Sequence, residues 1–254
     1  MKKLFLTIIL SLSLFSLSAQ HPAADHIKTS KSSIKVQPVL HGALVLTWNN
    51  KTIYVDPYGG EKAFKGLAKP DLILITDIHP DHLDLNTLKT IDHSKATFIV
   101  PQAVADKLPA DIKKENVIIL ANGKNTEQMG ISISAIPMYN LPESPEAMHT
   151  KGRGNGYVLK LDDKTIYISG DTEDIPEMRS LQNIDVAFIC MNLPYTMDIN
   201  QASSAVLEFK PKIVYPYHYR GQDGLSDVEG FKKTVITQNP NIDVRLRNWY
   251  TEYK

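Results

Sequence analysis

The sequence predicts a single layered domain of the α/β or α+β class. Short apolar segments rich in β-branched residues recur along most of the chain, candidate helices are interleaved with them, and turn signals join some of them into hairpins. That alternation disfavours a pure barrel or a pure helical bundle. With 254 residues, 43% of them hydrophobic, the chain has enough apolar material for one sizeable core.

The N-terminus reads as an export signal. Lys2 and Lys3 precede an unbroken apolar and small run over 4–17, followed by Ser18-Ala19-Gln20. A bilayer-spanning helix takes about 20 apolar residues, so this run is short for an anchor. We expect a signal peptide over 1–19, a flexible polar lead-in over 20–33, and one domain over 34–254, located in the periplasm or secreted. No cysteine follows the apolar run, so no lipid anchor and no stable membrane attachment is expected after cleavage.

Within the domain, strand signals begin at Val39 and continue through 43–48 and 52–55. Asn49-Asn50 between the last two marks a tight hairpin turn. Further strands are predicted at 72–75, 97–100, 117–120, 131–136, 157–161, 165–169, 186–190, 213–217 and 244–246, with Asp162-Asp163 as a second hairpin turn. Helices are predicted at 85–91, 103–107, 175–181, 201–209 and 227–238. In 201–209, Ala202, Ala205, Val206 and Phe209 recur at helical spacing, which makes that segment amphipathic. The 140–155 loop is long and carries two prolines and two glycines. Long ordered loops in compact domains are commonly functional.

Composition excludes several classes of function. The 28 Lys+Arg balance 28 Asp+Glu, so nothing suggests a surface built against nucleic-acid phosphates. One cysteine excludes an internal disulfide and any multi-thiolate zinc site, whereas eight histidines suffice for a centre of imidazole and carboxylate. Cys190 itself ends an apolar strand with no activating base near it in sequence and reads as a buried structural thiol.

The candidate chemistry collects at strand ends. Leu72-Ile73-Leu74-Ile75, a run expected of a strand buried on both faces, leads straight into Thr76-Asp77-Ile78-His79-Pro80-Asp81-His82. Alternation turns Asp77, His79 and Asp81 the same way, and His82 toward a second position. A turn with a helix cap at Asp84 accounts for one or two of these polar residues but not for all of them. So dense a set of carboxylates and imidazoles is costly without a cation among them.

This segment resembles the Thr-His-x-His-x-Asp-His motif of the metallo-β-lactamase-fold hydrolases. The rest follows in that family's order: Val55-Asp56-Pro57 closing the early hairpin, His149 in Met148-His149-Thr150, Asp171 in Ser169-Gly170-Asp171-Thr172, and His218 in Tyr217-His218. The likeness covers essentially the whole predicted domain and is greatest to the branch with sugar-acid lactonases and phosphodiesterase-like relatives. It implies an αββα sandwich, two face-to-face mixed β-sheets flanked by helices, with metal at one edge. It implies two divalent metal ions, zinc first and manganese or iron as alternatives. Asp77, His79 and His149 would hold one, Asp81, His82 and His218 the other, and Asp171 would bridge them. Asp77 departs from the family pattern, which has histidine there; a carboxylate still ligates but makes the site harder and more anionic.

The function implied is hydrolysis of a small-molecule ester, lactone or phosphodiester. Asp81 would orient the attacking water and protonate the leaving group. Tyr195 reads as a hydrogen-bond donor to the substrate or, at least as readily, as a surface or packing tyrosine, and Tyr217 and Tyr219, flanking His218, carry the same two readings. His41 is expected in a supporting or packing role, and Lys151 with Arg153 reads either as an attraction for an anionic substrate or as a solvated loop face. The alternatives are a family member that keeps metal without turnover and, less favoured on charge and on export, a nuclease.

Overall fold

The computed structural model describes residues 21–251; the predicted signal peptide lies outside them. Two seven-stranded mixed sheets pack against each other, with helices on the outside. The first sheet runs in chain order: β1 (Asp25–Lys28), β2 (Ser33–Leu40), β3 (Ala43–Trp48), β4 (Lys51–Val55), β5 (Leu72–Leu74), β6 (Thr97–Val100) and β7 (Val117–Ile119). The second comprises β8 (Asn125–Gln128), β9 (Ile131–Met138), β10 (Gly154–Leu161), β11 (Lys164–Ile168), β12 (Val186–Cys190), β13 (Ile213–Tyr217) and β16 (Asp243–Val244), with β8 and β16 at its edges. A short hairpin of β14 (Arg220–Gly221) and β15 (Gly224–Leu225) follows β13. Helices α1 (Gly60–Phe64), α2 (Leu85–Thr90) and α3 (Gln102–Ala105) accompany the first sheet. Helices α4 (Pro176–Arg179), α5 (Ile199–Phe209) and α6 (Val228–Gln238) accompany the second.

The two-residue period of the strands divides the core. Leu44, Leu46, Leu72, Leu74 and Ile99 enter the core shared with the second sheet. Their neighbours Val45, Ile73, Ile75, Phe98 and Val100 face the other way, onto Phe64, Leu88 and Val104 of the helices. Each such side chain contributes about 1.5–3 kcal/mol on burial, which explains why β5 shows no polar alternation. On the opposite side, Ala202, Ala205, Val206 and Phe209 of α5 are buried, the face expected from the sequence.

Both hairpin turns fall where expected. Asn49 and Asn50 take φ of 46° and 58°, as a type I′ turn demands, and Asp162 takes 54°. The lead-in requires correction: 25–28 is β1, antiparallel to β2, rather than flexible chain. Ile27 is buried, and the Asp25 carboxylate accepts hydrogen bonds from the Tyr215 hydroxyl at 2.7 Å and from Arg247 at 2.6 Å. Parallel pairing of β4–β5–β6–β7 and of β11–β12–β13–β16 aligns the carboxyl ends of the central strands, and the polar segments that follow them meet at one edge of the sandwich.

Candidate metal centre

The segment after β5 leaves the sheet under the control of Asp56, at the end of β4. Asp56 is fully buried and accepts from the Thr76 amide at 2.7 Å and the Thr76 hydroxyl at 2.6 Å. The chain then turns: the His79 carbonyl accepts from the amides of His82 at 3.0 Å and Leu83 at 2.8 Å, which brings His82 back toward the sandwich. Asp84, as its sequence position suggests, caps α2 by accepting from the amides of Asn86 and Thr87. The remaining ligands come from the second sheet. His149 ends the β9–β10 loop, Asp171 follows β11 and His218 follows β13. Gly170 takes φ of +62° to deliver Asp171, and its amide donates to the Tyr217 hydroxyl at 2.9 Å.

All seven predicted ligands converge. His82, Asp171 and His218 form one fully buried group that can hold a cation, and Asp77, His79 and His149 form a second. His82 Nε2 lies 3.2 Å from His218 Nε2 and 3.2 Å from Asp171 Oδ2. His218 Nε2 lies 3.3 Å from Asp81 Oδ2 and 3.5 Å from Asp171 Oδ1. Two ligands about 2.0–2.1 Å from one zinc ion at the tetrahedral angle would be separated by roughly 3.3–3.4 Å. The spacing around His82 and His218 fits that requirement. His149 Nε2, 3.3 Å from Asp171 Oδ2, and Asp171 Oδ1 are buried with no hydrogen-bond partner, which a polar atom tolerates badly unless it is a ligand.

The supporting contacts aim the rings. His82 Nδ1 lies 2.8 Å from Asp56 Oδ2, a carboxylate–histidine pair that leaves Nε2 with its lone pair toward the cluster. Asn140 Oδ1 accepts from the His149 amide at 2.8 Å and lies 3.1 Å from His149 Nδ1, which turns that imidazole's Nε2 inward. His41, with φ of 58° in the β2–β3 turn, lies 3.0 Å from Asp81 Oδ2 through Nε2 and 2.7 Å from the Tyr250 hydroxyl through Nδ1. His41 thus lies beside Asp81 and His218, and with them it forms a third group whose donor atoms could hold a cation.

Electrostatics point to a deficit of positive charge. Burial works against ionisation of Asp171, yet His218 and His82 hold its carboxyl well below the usual carboxylate range. Asp81 behaves likewise: burial opposes, while His82, His218 and His41 keep it ionised. Burial disfavours charge on His82, but Asp171, Asp56 and Asp81 together push its pKa well above the ordinary imidazole value. A bound cation satisfies the same demand. Burial, then the neighbouring His218, lowers His41 to about 4, so it serves as a neutral hydrogen-bonding ring.

The cluster opens into a cavity of about 320 Å³ whose walls include Asp81, His149, Tyr195 and Arg220. Tyr217 and Tyr219 are buried and bonded to backbone, to the Gly170 amide and the Arg247 carbonyl, so both are structural. Burial pushes the Cys190 thiol up to about 11, which suits its structural reading. Lys151 and Arg153 are absent from the cavity wall. Lys151 pairs with Glu143 at 2.8 Å and Glu177 at 3.3 Å, and Arg153 pairs with Asp77. The basic residue that does line the cavity is Arg220, two positions after His218. Its adjacency to the last ligand was the available signal.

Comparison with known proteins agrees with this arrangement. A family model described as beta-lactamase superfamily domain matches residues 35–218. A UPF0173 metal-dependent hydrolase of Pyrococcus abyssi is 32% identical over 216 residues, 80% of this chain and 92% of that protein. The crystal structure of a candidate metal-dependent hydrolase from Parabacteroides distasonis superposes with a TM-score of 0.79 at 36% identity, over 89% of this chain and 99% of that one. The metallo-beta-lactamase fold protein YhfI from Bacillus subtilis superposes at 0.64 with 12% identity, over 82% of this chain and 88% of that one, a likeness of fold alone.

Proposed function

The chain belongs to the beta-lactamase superfamily of metal-dependent hydrolases, and from that premise we propose that it is an exported enzyme that cleaves a small-molecule ester, lactone or phosphodiester with water. The observation that carries this reading is the geometry around His82 and His218: with Asp171 they form a buried donor group drawn from both sheets, spaced for one coordination shell, beside a cavity of about 320 Å³ that Asp171 lines. Zinc suits the mixed imidazole and carboxylate donors best, with manganese or iron competing according to supply. A bound divalent cation supplies Lewis acidity and lowers the pKa of water from about 15.7 toward 7.

The chain's own residues do the rest. Asp81 borders the cavity, and against burial His82, His218 and His41 keep it ionised, so its carboxylate can accept a hydrogen bond from the attacking water and orient it. His41, tied to Tyr250, fixes the orientation of that carboxylate. Tyr195 lines the cavity and brings a hydroxyl that can donate to the substrate oxygen on which charge develops, and Arg220 lines it with a positive charge that suits an anionic substrate. The balanced net charge of +0 supports a small substrate over a polyanion. Export is supported by Lys2, Lys3 and the apolar run behind them.

The test is a panel of lactones, phosphodiesters and β-lactams offered to metal-loaded protein, repeated after chelation and with His82→Ala. Turnover of at least one ester or phosphodiester, lost in both controls, is the expected result. Hydrolysis that survives chelation refutes the reading.

A further inference from the structure

The two ligand groups differ in how far their donor atoms are already committed. In the first, Asp77 receives a bidentate pair of hydrogen bonds from Arg153, Nε to Oδ1 at 3.0 Å and Nη2 to Oδ2 at 2.9 Å. Asp77 Oδ2 is also 2.9 Å from His79 Nδ1, a hydrogen-bond distance. The other nitrogen of His79 lies 3.4 Å from Arg153 Nη2, which in turn donates to the Met148 carbonyl at 2.7 Å. Both oxygens of Asp77 and both nitrogens of His79 thus have partners, and His149 Nε2 alone lacks one. In the second group, Nε2 of His82 and of His218 face each other at 3.2 Å and Asp171 Oδ1 has no partner.

Charge reinforces the contrast. The Asp77 side chain is fully buried and that of Arg153 is 19% exposed, so the pair is a neutral unit largely withdrawn from water. A guanidinium does not deprotonate in proteins, and its planar fork matches a carboxylate bidentately. A cation entering between Asp77, His79 and His149 would have to break that pairing and then sit against a permanent positive charge. His82, by contrast, is surrounded by the carboxylates of Asp56, Asp81 and Asp171.

We propose that this chain holds a single divalent cation, bound by His82, Asp171 and His218, and that the Arg153 guanidinium takes the place of a second by neutralising Asp77. The resemblance to a two-metal family implies otherwise, and the replacement of its first histidine by Asp77 is the difference that makes room for the arginine. The inference rests on the metal-dependent reading above.

Counting metal per chain, by elemental analysis after equilibrium dialysis against zinc, tests this without reference to activity. Wild type is expected to retain one equivalent. Arg153→Met leaves the Asp77 carboxylate buried without a counter-charge and is expected to gain a second equivalent. The double variant Asp77→Leu with Arg153→Met replaces the pair by apolar volume, an exchange that folded proteins often accept, and is expected to stay at one. Two equivalents in wild type, one of them lost in the double variant, overturn the proposal, as does a folded Arg153→Met protein that stays at one. Should Arg153→Met fail to fold, wild type and the double variant decide between them. A wild-type chain that holds two equivalents and hydrolyses esters removes this inference and leaves the hydrolase reading standing; one equivalent with no turnover does the reverse.

Discussion

Replacing Asp56 by Asn changes one buried acceptor into a donor without changing its shape, and the consequence can be worked through atom by atom. Oδ1 can still accept from the Thr76 amide at 2.7 Å. The new amide N–H₂ then occupies the place of Oδ2, which now lies 2.6 Å from the Thr76 hydroxyl and 2.8 Å from His82 Nδ1. The hydroxyl can rotate to accept. The imidazole cannot accept unless it moves its proton to Nε2, and that nitrogen is the one aimed at Asp171 and His218. The variant therefore favours the tautomer whose inward lone pair is blocked. Supporting carboxylates are worth about 10- to 100-fold in metal affinity, and reversal of a tautomer belongs at the upper end. A hundredfold corresponds to about 2.8 kcal/mol. Competition with a chromophoric chelator measures it, and a thermal melt checks that the fold survives. A folded Asp56→Asn protein whose zinc affinity stays within about twofold of wild type would refute the tautomer argument, since loss of a supporting contact to a ligand histidine costs about tenfold or more.

Gly42→Ala places a Cβ 2.9 Å from Cδ2 of His218, so the ring must shift; we expect at least about a tenfold loss of metal affinity by the same competition assay. Tyr195→Phe removes only the hydroxyl facing the cavity, so kcat is expected to fall roughly a hundredfold with metal content unchanged, as steady-state kinetics and elemental analysis will show. Asp25 supplies a pH dependence remote from the site. Burial raises its pKa, but Tyr215, the His26 amide, Arg245 and Arg247 bring it below 3.8 on balance. Its stabilising contribution is therefore complete above the unfolded value of about 3.9 and is lost as pH falls through the lower folded value. Urea unfolding at pH 5, 4 and 3 (roughly spanning that window) should show a shallower loss of stability in Asp25→Asn than in wild type.

The parts of the molecule legible in its sequence are those where local pattern and global burial agree. The run Leu72-Ile73-Leu74-Ile75 is apolar throughout because alternate side chains enter two different cores, and periodicity reports burial wherever it occurs. The ligand motif behind it is dense enough in carboxylate and imidazole to be conspicuous at any strand end. Strand β8, Asn125–Gln128, lies at an edge and carries only polar residues, so no burial pattern marks it. Strand β1 pairs with β2, and its Asp25 also reaches Tyr215 and Arg247, contacts with residues from the far end of the chain that no local pattern announces. The Asp77–Arg153 pair is hidden for the same reason: 76 positions separate its partners, and a loop arginine next to a ligand histidine looks like a solvated surface group until the fold closes. In the sequence Asp56 figures only in Val55-Asp56-Pro57, the close of the early hairpin. Its work as the partner of His82 is a property of the assembled edge.

The coordinating side chains do not belong to one half of the molecule. His82 follows a strand of the first sheet, while Asp171 and His218 follow strands of the second. An ion seated among them is thus a rivet through the seam of the sandwich, fastening two halves that otherwise adhere through hydrocarbon contact. Since the unfolded chain offers no such site, occupancy adds about 2.7 kcal/mol of stability when free metal stands at a hundred times its dissociation constant. Mechanical cohesion and catalytic readiness are then set by one and the same variable, the metal supply of the compartment in which the protein works.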